Sequence, residues 1–190
     1  MAVNSTMLAL GTAAPAFTLA EPLTGSEVSS ADFSQPALLV MFICNHCPYV
    51  QHIRSGLVEL RAGYSTADLG MVAISANDPV SHPGDAPERI AEEARAQGYR
   101  FPYLFDETQE IAKAYTAACT PDFFLFGPDR RLAYRGRLDA SRPGNDIPVT
   151  GEDLRRAIDA VLAGRPAPAE QYPSMGCSIK WRPGSAPAYA

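Results

Sequence analysis

The chain predicts an α/β fold on three observations. Two unbroken apolar runs of strand length, "ALLVMFI" (37–43) and "MVAISA" (71–76), stand ahead of helical patterns, and Gly, Pro and Asp signals separate the segments. Apolar runs without polar alternation belong to central strands covered on both faces. After the first run, Val50, Ile53, Leu57 and Leu60 recur at helical spacing from Pro48 onward. Proline is tolerated only in a helix's first turn, so "CNHCPYV" (44–50) straddles a helix start. "NDPVSHPGD" (77–85) is too rich in Pro, Asp and Gly to continue a regular element. Asp85 with Glu88 three residues on predicts a capping box opening the next helix, with Gly98 at its C-terminus. "FPYLF" is a short strand, and Asp106 with Gln109 predicts a second capping box over a helix carrying Ile111, Ala114 and Tyr115. "DFFLF" and "RLAYRG" around Gly127, Pro128 and Asp129 predict an antiparallel hairpin. Thr150 caps a last helix whose stripe is Leu154, Ile158, Val161 and Leu162, and Gly164 stops it.

A chain of 190 residues and 20.4 kDa is long enough for one well-filled core and short for two. One domain is expected over 1–164. A proline-rich tail, 165–190, packs on it or extends from it, crossing the surface with an apolar island around Ile179 and Trp181. Hydrophobic residues at 46% and charged residues at 19% describe a globular protein and exclude a largely disordered one. The net charge of -5 and the scattered arginines exclude a basic stripe, so no nucleic-acid partner is expected. The amino terminus has no basic segment ahead of an apolar one, and no run approaches the ~20 apolar residues of a membrane span, so neither a leader nor a membrane partner is expected. The prediction is a cytoplasmic protein. There thiols are kept reduced, and Cys44, Cys47, Cys119 and Cys177 are expected to be catalytic, metal-binding or inert rather than structurally bridged.

The Cys44–Cys47 pair carries the chemistry. The first cysteine of a C-x-x-C at a helix start faces unpaired backbone N–H groups and the positive end of the helix dipole, both of which favour thiolate. His46 adds to this when it donates a proton or a hydrogen bond, and such surroundings lower a cysteine pKa to about 3.5 to 7.5. A structural disulfide closing so short a loop gains little, so the pair makes more sense as chemistry. The rival reading is metal, with Cys44 and Cys47 joined by His52 or Cys119 as three ligands to zinc or copper. No second C-x-x-C completes a tetrahedral set, and no cofactor or metal is expected. Cys119 is either a third redox thiol or a small buried residue. Cys177 is either a resolving thiol reaching back from the tail or a free thiol. His52 and His82 read as ordinary helix-face and loop residues.

A strand ending in C-x-x-C, a long helix, a second strand, Thr120-Pro121 before a hairpin and a last helix together resemble the thioredoxin fold over residues 10 to 164. That fold is a central mixed sheet flanked by helices, here with an N-terminal extension and a C-terminal tail. "LGTAAPAFTL", "CNHCPYV" and "GCSIKW" resemble more narrowly the peroxiredoxin-like, AhpC/TSA-related redoxins. The resemblance implies a thiol–disulfide oxidoreductase with Cys44 as nucleophile, Cys47 as resolving thiol and Pro121 as a cis-proline facing them. It implies too that the backbone of Thr120 pairs with an extended substrate. The partners implied are a disulfide-containing protein or small thiol and a separate reductant. Ile43 replaces the tryptophan that precedes the thioredoxin pair, and "ALLVMFI" lacks the buried acid that thioredoxins keep below it. The alternative is a thiol peroxidase acting through Cys47. Its signature, P-x-x-x-T-x-x-C, meets Val40 and Cys44 where proline and threonine belong, and its arginine has no counterpart near Pro121.

Overall fold

The computed structural model describes residues 2–190. Seven strands form the main sheet: β2 (Thr18–Glu21), β3 (Ser26–Ser29), β4 (Ala37–Phe42), β5 (Leu69–Ser75), β6 (Tyr103–Phe105), β8 (Asp122–Phe126) and β9 (Leu132–Gly136), in the order β3-β2-β6-β5-β4-β8-β9. β4, β5 and β6 are parallel, and the other pairings are antiparallel, giving the mixed sheet expected. A second, three-stranded sheet places β10 (Met175–Ser178) between β1 (Ala2–Asn4) and β7 (Cys119–Thr120).

Every residue of β4 and β5 is buried, as their unbroken apolar character requires, and the period of two divides them between two cores. Leu39, Met41 and Ile43 meet three helices: α1 (Pro48–Ala62) through Val50, Ile53, Leu57 and Leu60; α2 (Pro87–Gln97) through Ile90 and Ala94; and α4 (Glu152–Leu162) through Leu154, Ala157 and Ile158. Leu38, Val40 and Phe42 face the other way, onto Phe17, Phe124 and the short α3 (Glu110–Ala114) with Tyr115 beyond its end. Ile179 is buried in this second core and Trp181 packs beside it, so the tail's apolar island is part of the interior rather than a surface crossing.

The helix starts differ from those expected. α2 begins at Pro87 after Ala86, because the Asp85 carboxylate is engaged elsewhere and Pro87 supplies the first-turn residue that needs no N–H donor. α3 starts from Gln109 in the left-handed region, with the Asp106 carboxylate accepting the Ala112 N–H at 2.9 Å. Before α4, Asp139 takes the Thr150 and Gly151 N–H groups at 2.7 and 2.6 Å, while the Thr150 hydroxyl accepts only from Glu152 at 3.3 Å. The hairpin forms where expected, with Gly127 and Arg131 closing it by a 3.0 Å backbone bond. Among the described residues no helix is long and apolar enough to cross a membrane.

Candidate active site

Sheet register assembles the site. β4 and β8 run antiparallel with Phe42 opposite Asp122, so the residues just past β4 meet those just before β8, and Cys44 arrives beside Thr120-Pro121. The Thr120–Pro121 peptide bond is cis. The Cys44 sulfur lies 3.2 Å from the Thr120 hydroxyl, and the Cys47 thiol donates to the Thr120 carbonyl at 3.1 Å. All four cysteines are free thiols, and Cys44, Cys47 and Cys119 have no exposed surface.

The helix start moves the acidic thiol from the first cysteine to the second. Pro48 is the first residue of α1, which makes Cys47 the N-cap and leaves Cys44 outside the helix. The helix dipole therefore acts more closely on Cys47 than on Cys44, although the Cys47 side chain makes no capping hydrogen bond. The Cys44 thiol lowers Cys47 below an ordinary thiol, helped by Cys177 and by the Val50 N–H and opposed by burial. Cys44 is held protonated: it shares its proton with Cys47, burial disfavours its charge, and the Asp85 carboxylate repels a second negative charge. The N-cap is thus Cys47, where the sequence led to the expectation that helix-end donors face Cys44.

The loop between the cysteines is fastened from outside. Asp85, with no exposed surface, accepts the Asn45 N–H at 2.7 Å, the His46 N–H at 3.3 Å and the Asn77 side-chain amide at 2.8 Å, and pairs with His46 Nδ1. Gln51 and Arg54 both donate to the Asn45 carbonyl at 3.0 Å, and the Tyr103 hydroxyl reaches Ile43 and Asn45. His46 Nδ1 is also 3.9 Å from the Cys44 sulfur, and its ring stacks on His82 at 4.9 Å. Burial and the His46 and Lys180 charges push His82 below its ordinary value.

Sequence reasoning missed Asp85, Asn77 and His82 as site residues. A signal existed: β4 and β5 are parallel neighbours, so the loop leaving β5 must emerge beside the loop leaving β4, where α/β proteins build their sites. Asp85 supplies from this loop the buried acid that "ALLVMFI" lacks.

The proposed zinc or copper set does not assemble. His52 Nε2 pairs with the Ser141 hydroxyl at 2.7 Å, and the Cys119 thiol donates to the Pro121 carbonyl at 3.6 Å. The metal-ligating atoms that do converge among the described residues are those of Cys44, His46 and Asp85, all within 4.8 Å of one another. His46 and Asp85 spend theirs on each other. Cys119 is fully buried and is pushed well above an ordinary thiol by burial and by Asp122. Arg135 is buried against Asp122 at 3.4 Å and the Thr116 carbonyl at 3.2 Å.

The backbone edge of Thr120, expected to receive a substrate strand, is occupied by the chain itself. β10 pairs antiparallel with β7, setting Cys177 opposite Thr120 and Ser178 opposite Cys119. Beside this edge a cavity of about 230 Å³ opens between Pro121, Tyr49, Ile53, Leu138 and Tyr172; its walls include neither site sulfur.

A cysteine pair at a helix start facing a cis-proline, on a mixed sheet flanked by helices, defines a thioredoxin-fold redoxin. The chain belongs to the AhpC/TSA family, whose model matches residues 10–135. Two Mycobacterium tuberculosis proteins bearing the name "putative peroxiredoxin" are each 32% identical over 115 residues, covering 60% of this chain and 68% of theirs. The crystal structure of an uncharacterized conserved protein from Geobacillus kaustophilus superposes with a TM-score of 0.95 at 52% identity, over 97% of this chain and 98% of that one. The thioredoxin domain of a thiol–disulfide oxidoreductase from Bacteroides vulgatus shares the fold at a TM-score of 0.58 and 20% identity, over 71% of this chain and 90% of that domain.

Proposed function

We propose that the protein is a thiol–disulfide oxidoreductase in which Cys44 and Cys47 cycle between dithiol and disulfide, with Cys47 as the attacking thiolate and Cys44 as the resolving thiol. The observation that carries this reading is the placement of both sulfurs on Thr120, before the cis bond, within 3.2 and 3.1 Å of its hydroxyl and carbonyl. The Cys47 thiolate attacks one sulfur of a substrate disulfide and releases one thiolate. Cys44 then attacks the Cys47 sulfur and expels the second, its proton passing to the His46–Asp85 pair. Two electrons leave the protein, and an external thiol reductant returns them. The partners are a disulfide-bearing protein or small thiol and that reductant, in a reducing cytoplasm.

A second reading, hydroperoxide reduction, is favoured by the complete burial of both sulfurs, which suits a small oxidant. Cys47 would take one peroxide oxygen as a sulfenate, releasing an alcohol or water, and Cys44 would condense with it to a disulfide and water. Val40, Cys44 and the engaged Arg135 weigh against efficiency in this reaction.

Turnover of a small aromatic disulfide and of hydrogen peroxide, each with dithiothreitol as reductant, separates the two. Cys47→Ser should abolish turnover, and Cys44→Ser should stop with Cys47 held in a disulfide that lacks Cys44, detectable by mass spectrometry. Unchanged turnover in both variants would overturn the dithiol mechanism, and consumption of peroxide alone would favour the second reading.

A further inference from the structure

The two reacting sulfurs have no exposed surface, whereas Cys177 is only partly buried, so it is the cysteine of the four that solvent can touch. Its strand is set firmly against the site. β10 is clamped on one edge by β7 and on the other by β1, with Ala2 opposite Cys177 and Val3 opposite Gly176. Gly176 lies so close over Thr120 that a Cβ there would fall inside the Thr120 carbonyl. Just beyond the strand, Lys180 donates its N–H to Asn77 at 2.8 Å and accepts from Asp78 at 2.8 Å, and Asn77 in turn donates to Asp85. The strand is therefore tied to the site at two places, at Thr120 and, through Lys180 and Asn77, at the Asp85 that holds the cysteine loop. In this position Cys177 stands opposite Thr120, the residue on which both site sulfurs rest, and packs against the buried cluster that contains Cys44 and Cys47.

We infer that Cys177 is a third redox thiol of this site, carrying electrons between solvent and the sealed Cys44–Cys47 pair by way of a Cys47–Cys177 disulfide. The inference rests on the dithiol reading above. In the reductive half-cycle, Cys177 attacks the Cys47 sulfur of the Cys44–Cys47 disulfide. The Cys47–Cys177 bond forms, the Cys44–Cys47 bond breaks, and Cys44 leaves with the proton that Cys177 gives up. An external thiol then attacks the Cys177 sulfur, on the one cysteine of the four that keeps exposed surface, and expels Cys47, the better leaving group because its thiolate is the stabilised one. A second external thiol frees Cys177 and is released as the external disulfide. The sum is one protein disulfide reduced and two external thiols oxidised. Cys177 itself is pushed up to about 11 by burial and by donating its proton to Cys47, so at rest it is a thiol, consistent with a relay that acts only when the pair is oxidised.

The test is disulfide mapping of the full chain, oxidised with diamide, titrated with dithiothreitol, alkylated and digested without further reduction. Wild-type protein should hold Cys44–Cys47 at full oxidation and show a Cys47–Cys177 fraction at intermediate reductant. Cys44→Ser should trap Cys47–Cys177 nearly completely. Cys177→Ser should still form Cys44–Cys47 but be reduced at least tenfold more slowly. Gly176→Ala, which lifts β10 off Thr120 while keeping the thiol, should lose the Cys47–Cys177 link. If the wild type passes through its titration without any Cys47–Cys177 peptide, or if Cys177→Ser is reduced at the wild-type rate, the relay is overturned while the dithiol reading stands. Failure of the wild type to form Cys44–Cys47 at all would overturn both.

Discussion

Asp85 and Asp122 are both fully buried carboxylates, and their surroundings are opposite. Asp85 is saturated by two backbone N–H groups, an amide and an imidazole, all of them part of or next to the cysteine loop. Asp122 has one long bond from Arg135 at 3.4 Å, and its second oxygen has no hydrogen-bond partner among the described residues; nor do Nε and Nη1 of Arg135. Burial raises Asp122 to about 7 despite the guanidinium. A buried carboxylate can thus organise a site when donors surround it, or stand as a cost to folding when they do not.

That contrast can be broken first at the poorly served pair. Arg135→Met strips Asp122 of its counter-charge and frees the Thr116 carbonyl, and should cost about 3 to 5 kcal/mol in urea unfolding, while turnover per folded molecule stays within about twofold of wild type. Asp85→Asn keeps the size and the acceptor for the loop N–H groups but removes the charge. It should cost less, about 1 to 3 kcal/mol, yet lower turnover at least tenfold and alter its pH profile. An equal loss of turnover in both variants would erase the distinction.

The pH dependence of stability sharpens it further. Folded Asp122 holds its proton more tightly than the unfolded chain does, its value rising from 3.8 to about 7. Its contribution is therefore fully present below about pH 4 and is lost as pH rises through about 7. The unfolding midpoint should carry a falling component across that window, and Asp122→Asn should lack it. The smallest effect is expected at the site's rim. His82→Ala removes the ring stacked on His46 and should cost roughly 0.5 to 1 kcal/mol, measured in the same unfolding series.

The parts of this molecule that could be read from sequence are those whose neighbours enforce a period. β4 and β5, covered on both faces, are unbroken apolar runs, and α1 shows its buried stripe plainly. Helix ends carry no such constraint. Pro48 fits any first-turn position, and the two or three residues of ambiguity it leaves decide which cysteine is the N-cap. Asp85 was hidden for a different reason: a polar residue in a Pro- and Gly-rich loop ahead of a helix reads as a cap, and only the parallel pairing of β4 with β5 brings it to His46. The segment Met175–Ser178 has no alternation at all. It is a strand because Thr120 on one side and residues 2–4 on the other complete its hydrogen bonds.

The placement of β10 between the first described residues and β7 fixes an order of events during synthesis. The cysteine pair, its helix and the cis-proline strand can come together once the chain has emerged through β8. The strand that pairs with them lies about fifty residues further on, a delay of roughly 3 to 10 seconds at about 5 to 20 residues per second. During that interval the nascent protein carries the dithiol with the Thr120 edge still open, and only the finished chain brings Cys177 opposite Thr120.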